Sequence, residues 1–464
     1  MSRIIGILAL ARPTFDVEFA NEMLSAMYER LAKTEVKLTG PRKLLMDSDA
    51  ARIALDELIA KSVDAILVLQ VTFTDAAMIC EIGEEFAGDL LIWSVPEPRL
   101  GGRLRLNSFC GLNLASHALG LRGREFSYLH ADPVSGDVSS KLLKLLDGKN
   151  SVQPVYPVAT NIGVGADAMA VASSLQGTRI GRIGEHPEGF DTCAYNSDEL
   201  RSFAGIEVEE LGLDDLFERA KLVNSQTVNE TREKASLELD EINDVDQEQL
   251  DKSLRLKSAL EAIRQDGKHD AFAIRCWPET FTEYGGAVCG PVSMMGEARI
   301  PCACEADVYG ALTQIVLQRT AHAPVFLTDL VDVDIDDDTA IVWHCGQAPV
   351  SMAGSDEKPI ATVHSNRKMP LLYEFALKPG RVTFIRISQA RGVRFMVIGT
   401  GEMLARPKAF TGTSGTVRFD NGSDALLENL IAAGIEHHMA LAYGDHADEL
   451  RQVAAALKLP VLEI

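Results

Sequence analysis

The sequence predicts two doubly wound α/β domains followed by a mostly antiparallel β domain, and three observations carry that expectation. In the first 150 residues, short unbroken apolar runs alternate with amphipathic stretches. A second α/β segment follows from about residue 155. From about Pro324 the helical period fades and strand-like segments follow one another. A chain of 464 residues also exceeds what one hydrophobic core organises. The changes of pattern put the domain boundaries at 1–155, 156–322 and 323–464.

Each element has its own reason. Ile4–Leu10, Ala65–Val71 and Leu90–Val95 are continuous apolar runs, as strands covered on both faces require. Between them, Glu18–Ala32 and Asp49–Lys61 carry apolar residues at helical spacing, with Ser48 and Asp49 as N-cap candidates. This alternation means βαβ units and a parallel sheet. Thr178–Gly184 reads as a strand, Ser197–Gln265 as several solvated helices, and DAFAIRCWPE as a strand ending in functional residue types. VFLTDLVDVDIDDDTAIVWHC, RVTFIRIS and VRFMVIGTGEM alternate or run apolar, which predicts the antiparallel sheet. Asp332–Asp338 is a turn within it, because a calcium loop needs a longer set of liganding positions ending in Glu. GTGEM and TGTSG read as turns, since neither opens a helix as a phosphate cradle must. ALAYGD, HADELRQVAAALK and PVLEI close the chain as a strand, a helix and a strand.

Composition excludes whole classes of partner. With 45 Lys and Arg against 67 Asp and Glu, the net charge is −22, and phosphate or anionic lipid binding over a broad surface needs the opposite balance. No nucleic acid or membrane partner is expected. The first apolar run, of about seven residues, is too short to span a bilayer. Eight cysteines are too few for a disulfide scaffold, so a reduced, cytoplasmic protein is expected.

Four segments concentrate acids, histidines and cysteines amid apolar sequence: RCWPE (275–279), PCACEADVYGAL (301–312), WHCG (343–346) and GIEHH (434–438). A buried carboxylate or imidazole must be paired, hydrogen-bonded or metal-bound. Four such segments together point to a divalent metal with oxygen and imidazole ligands. Zinc held by Cys302 and Cys304, with Cys276 or Cys345, is the competing reading. No second pair at C-x-x-C spacing supports it, and free cysteine is a common small buried hydrophobe.

WSVPEPRLGGRLRLNSFCGLN, RIGRIGEHPEGFDTC, RCWPE, PCACEADVYGALT, HCGQAP, FTGTSGTVRF and GIEHHMALAYGD, taken in order, resemble the L-fucose/L-arabinose isomerase family in its divergent isomerase-like members. The resemblance implies an aldose–ketose isomerase acting on a free sugar through an ene-diol, with two acids and one or two histidines holding Mn²⁺ or a similar cation such as Mg²⁺ or Co²⁺. Residue by residue, it implies Glu279 as the first acid and metal ligand, and Asp307 as the second, with Glu305 its near rival, the two acids also shuttling the proton between C1 and C2. His438 or His437 matches the C-terminal ligand, and His344 an additional one. Trp277, Glu305 and His437 are implied against the substrate. Glu97, Asn107 and Cys110 follow a strand of the first domain and are expected to reach the substrate in a neighbouring subunit's pocket, while Arg182, Glu185 and His186 follow a strand of the second and are expected to meet the substrate. A homotrimer or homohexamer is implied. Within this reading the sugar ranges from a deoxyhexose or pentose to an anionic, for instance sulfonated, hexose. The alternatives are a sugar-binding or sensing protein without catalysis, or a related metal-assisted epimerase or aldolase.

Overall fold

The structure, a computed structural model, describes residues 3–149, 151–355 and 358–464. Its strands form three sheets. In the first, Ile4–Leu10 lies at the centre, with Lys37–Thr39 and Leu44–Leu45 on one side and Ala65–Gln70, Asp89–Ser94 and Ser127–His130 on the other, all parallel. The second runs Cys302–Ala303, Ala271–Ile274, Arg179–Ile183, Glu207–Leu211, again parallel. The third has nine strands between Phe326 and Glu463, and most of its pairings are antiparallel. The fold class read from periodicity is the observed one.

Four local readings differ, each for a physical reason. Asp332–Asp334 belong to the strand Phe326–Asp334 and pair with Thr339–Ile341, so the turn read at Asp332–Asp338 is confined to the residues after Asp334. Glu207–Leu211 is a strand inside the stretch read as helices. Its sequence EVEEL is polar because it forms a half-exposed sheet edge. GTGEM and the start of TSGTVRF lie inside the strands Phe395–Met403 and Thr413–Phe419, not in turns. A Cβ on Gly401 would stand 2.5 Å from the Arg418 carbonyl oxygen, so glycine there lets two backbones touch. The helix Ser48–Ala60 is capped by Asp47, whose carboxylate accepts the Ala50 N–H at 2.8 Å, one residue before the expected caps.

The three sheets are tied around one cavity. The helix Ser108–Leu121 packs on the strand Phe326–Asp334 and the helix Ser423–Ala433. Its Asn113 donates to the Ile435 carbonyl at 2.7 Å, and its His117 Nδ1 lies 2.8 Å from the Gly434 carbonyl. Arg99 bonds Asp332 at 2.6 Å across the same boundary. The helix Val308–Ala321 buries its length against the strands Gly380–Ser388 and His438–Tyr443, which joins the second sheet to the third. Among the described residues, no helix is long and apolar enough to cross a membrane.

Candidate active site

Glu305 lies just past the C-terminal end of the strand Cys302–Ala303, where open parallel sheets place their ligands, and its backbone is left-handed at φ 58°. A non-glycine residue held there is strained, and such strain concentrates at functional sites. Its carboxylate accepts Trp277 Nε1–H at 3.0 Å and His437 Nε2–H at 2.9 Å. Burial alone would raise this carboxyl, but the His437 bond, the two histidines' charge and the Trp277 N–H outweigh it and hold it at about 2. Burial also pulls His437 down. Its bond to Glu305 and the surrounding carboxylates win, so His437 sits above the ordinary histidine value.

Asp329 and His438 face each other across the antiparallel pair Phe326–Asp334 and His438–Tyr443, so both side chains rise on one face. His438 Nδ1 donates to Asp307 Oδ2 at 3.0 Å, which fixes the tautomer and leaves the Nε2 lone pair free. That Nε2 lies 3.4 Å from Asp329 Oδ1 and 3.8 Å from Glu305 Oε2. Burial and the His437 charge hold His438 below the usual imidazole value, and so neutral near pH 7. Burial pushes the Asp329 carboxyl up to about 6, against the pull of the two histidines. Glu305, Asp329 and His437 line a cavity of about 130 Å³, which also reaches Arg12, Asn107, Trp343, His364 and Arg367.

The donor set fits a divalent cation. Ligand atoms of Asp329, His344 and His438 lie within 4.8 Å of one another, as do those of Glu305, His437, His438 and Cys193. Asp329 Oδ1 and His344 Nε2 are buried and without a hydrogen-bond partner. Asp307 and Glu436 share Arg386, which leaves Glu305 and Asp329 without a guanidinium. Burial keeps the Cys193 thiol protonated, a poor partner for a cation that prefers oxygen. Hard oxygens plus one imidazole lone pair suit Mn²⁺- or Mg²⁺-type ions, and the cysteine zinc reading finds no matching group among the described residues.

Residues 6–153 match the fucose/sulfoquinovose isomerase N-terminal domain, and residues 342–464 match the L-fucose isomerase C-terminal domain. A protein named sulfoquinovose isomerase from Priestia aryabhattai is 31% identical over 454 residues, covering 97% of this chain and 96% of that one. Another so named, from Alkalicoccus urumqiensis, is 32% identical over 462 residues and covers 98% of each chain. A third, from Clostridium sp. (strain MSTE9), is 28% identical over 459 residues, again covering 98% of each. The chain belongs to the fucose/sulfoquinovose isomerase family.

Within this isomerase, the fold gathers part of the residue set expected from sequence. Glu305, His344, His437, Trp277 and Asn107 line the cavity, and His438 lies against Glu305 and Asp329. Glu279 does not. It ion-pairs with Arg275 at 2.7 Å and lies outside both donor groups, because Trp277, two residues earlier, is the side chain that turns inward. Asp307 is close but fully engaged. Its oxygens accept the Gly310 N–H at 2.7 Å, two Arg386 N–H groups at 2.5 and 3.1 Å, and His438 Nδ1–H, so it orients His438 and has no lone pair left for an ion. A Cβ at Gly310 would stand 2.5 Å from Asp307 Oδ2, so glycine is what admits this cap. Arg182 pairs with Glu210 and Glu185, and neither Arg182 nor His186 lines the cavity.

Glu97 is a loop clasp and lies outside the lining of this cavity. Its carboxylate accepts the backbone N–H groups of Arg105, Leu106 and Asn107 at 2.5, 2.8 and 2.8 Å. Burial nevertheless raises its carboxyl to about 7. Asn107 and Cys110 line the cavity of their own chain, since the docking of Ser108–Leu121 on Phe326–Asp334 brings the first sheet there in cis. Asp329 was absent from the expected set. The signal for it is a charge in the middle of the apolar run VFLTDL, which a buried strand tolerates only with a partner.

Proposed function

We propose that this aldose–ketose isomerase acts on a sulfonated hexose, that Glu305, Asp329 and His438 hold a divalent cation such as Mn²⁺, Mg²⁺ or Co²⁺, and that Asp329 carries the substrate's carbon-bound proton. The observation that carries the reading is that the free Nε2 of His438 lies 3.4 Å from Asp329 and 3.8 Å from Glu305, each acid belonging to one of two donor groups that share His438. When bound there, the cation supplies a Lewis acid for the sugar's carbonyl and hydroxyl oxygens. The names of the full-length relatives support the sulfonated substrate.

The two acids divide the work because their surroundings set their proton affinities apart, about 6 for Asp329 and about 2 for Glu305. Asp329, the stronger base, takes the proton from C2 of the open-chain aldose and returns it to C1. Between those events the C1 oxygen gains a proton and the C2 hydroxyl loses one. His437, bonded to Glu305 and held above the ordinary histidine value, relays that proton. Cys345 N–H donates to His344 Nδ1 at 2.9 Å, which holds the ring on the cavity wall.

The same proposal keeps three domains at 1–155, 156–322 and 323–464, a cytoplasmic setting, and a homotrimer or homohexamer. Exposed Tyr156, Val158 and Ile162, at 61%, 73% and 45% of full exposure, offer apolar surface for assembly.

The test is NMR product analysis with sulfoquinovose, glucose, L-fucose and L-arabinose, before and after EDTA treatment. Ketose formation from sulfoquinovose, lost with EDTA and restored by Mn²⁺, is expected. Binding without turnover would make this a sugar-binding protein. A C2 epimer or a cleaved carbon chain would change the reaction class, and turnover indifferent to EDTA would remove the cation.

A further inference from the structure

Across the indole ring of Trp277 from Glu305, the cavity has a second and cationic end. Trp277 donates its Nε1–H to Glu305 and carries the Arg367 guanidinium over its ring, 5.0 Å from the centroid. Arg367 also lies 5.2 Å over Phe281. The carboxylate and the guanidinium are therefore about one aromatic ring apart, which suits the two ends of a six-carbon sugar.

Arg367 is half-buried, and among the described residues no carboxylate and no hydrogen bond engages its guanidinium. In a chain with 67 acids, an unpaired guanidinium on the wall of a cavity is an unused anion ligand. The adjacent residue is prepared in the same sense. Arg103 donates from Nε to Asn366 Oδ1 at 2.6 Å, which fixes the amide so that the Asn366 NH₂ remains free to donate. The same Arg103 grips the Thr14 carbonyl at 2.8 Å and so ties this loop to the N-terminal sheet. Arg12, on the same wall, already has Asp75 as its partner and adds field more than a free fork.

We propose that Arg367 and the Asn366 amide form the subsite that reads the sulfonate of the substrate, with Trp277 and Phe281 as its dry floor. This rests on the isomerase reading above and names the residues that select its substrate. A sulfonate presents three equivalent weak acceptor oxygens on a tetrahedral centre. A planar guanidinium donates to two of them in parallel, and the amide donates to the third. The aromatic faces exclude water, so the pairing is stronger than at an open surface. An uncharged C6 group would leave Arg367 unpaired, which is the origin of selectivity.

The experiment is steady-state kinetics of wild type, Arg367→Met and Arg367→Lys on sulfoquinovose and on 6-deoxyglucose, the same sugar without the sulfonate. Arg367→Met is expected to raise KM for sulfoquinovose on the order of 10²-fold with a much smaller effect on kcat. The preference for the charged sugar, as a ratio of kcat/KM values, should fall by a similar factor. Arg367→Lys should recover part of it, because charge returns without the fork. If Arg367→Met does not fold, Asn366→Asp gives the same readout by placing a negative charge against the sulfonate. Sulfoquinovose turnover with a ratio that these variants leave at its wild-type level would overturn the subsite alone. Turnover of 6-deoxyglucose but not sulfoquinovose by wild type would overturn the sulfonated-substrate reading and the subsite with it.

Discussion

Asp329→Asn is expected to lower kcat by about 10²–10⁴-fold, whereas Glu279→Gln is expected to leave turnover near the wild-type level. Asparagine keeps the volume of Asp329 and one acceptor oxygen, but it cannot take a carbon-bound proton. Asp329 is buried, stands opposite His438 and holds its proton most tightly of the two acids that face that ring. Glu279 bonds Arg275, and the N–H of that arginine in turn reaches the Glu185 carbonyl at 3.1 Å. Losing a part-exposed pair of this kind typically costs about 0–1 kcal/mol of stability and touches no reacting atom. The check is kcat for both variants, with solvent deuterium incorporation followed by NMR. Wild type should place some deuterium at C1 of the ketose, because a proton held on Asp329 exchanges with water. Full turnover by Asp329→Asn, or its loss in Glu279→Gln, would reverse the assignment.

The largest stability effect is expected at Arg386. Its side chain is fully buried, bonded through two N–H groups to Asp307, with Glu436 3.8 Å away. Arg386→Met would strand both carboxylates in the interior, where removing one partner of a buried pair costs about 3–5 kcal/mol. Burial would raise the Asp307 carboxyl, but Arg386 and His438 hold it well below the ordinary aspartate range. A depressed carboxyl contributes its stability in full above the unfolded value of about 3.9 and loses it as pH falls toward the folded value. Urea unfolding should therefore show the widest gap between wild type and Arg386→Met near neutral pH, narrowing below about pH 4. A gap of equal width at both ends would contradict the pairing as its source. The variant should also bind cations less well, because His438 depends on Asp307 for its tautomer.

Much of the fold was legible because periodicity reports burial directly. Apolar runs such as Ala65–Gln70 are buried along their whole length, and the alternation of the first 150 residues maps onto a parallel sheet. Glu207–Leu211 was not, because an edge strand needs no apolar run. At the site, the histidines and Glu305 were visible as polar residues bounded by apolar sequence. The choice among the acids was not, because each segment offers several and only the fold shows which already has partners. Two local patterns did carry that information. Asp307 immediately precedes a helical run, the position of an N-cap, and it caps Val308–Ala321. Arg275 stands four residues before Glu279 and neutralises it. Asp329 lies within a strand and not at its end, so a search of strand termini passes over it. Which face Arg367 would present was equally hidden, since its partners are aromatic rings from another segment.

Whether a cation is held by Glu305, Asp329 and His438 can be seen directly. Anomalous diffraction from crystals grown with Mn²⁺ locates the ion directly. One peak is expected at bonding distance, about 2.0–2.6 Å, from carboxylate oxygens of Glu305 and Asp329 and from His438 Nε2. A peak against Glu279, or one bonded to Asp307 in place of Asp329, would contradict it.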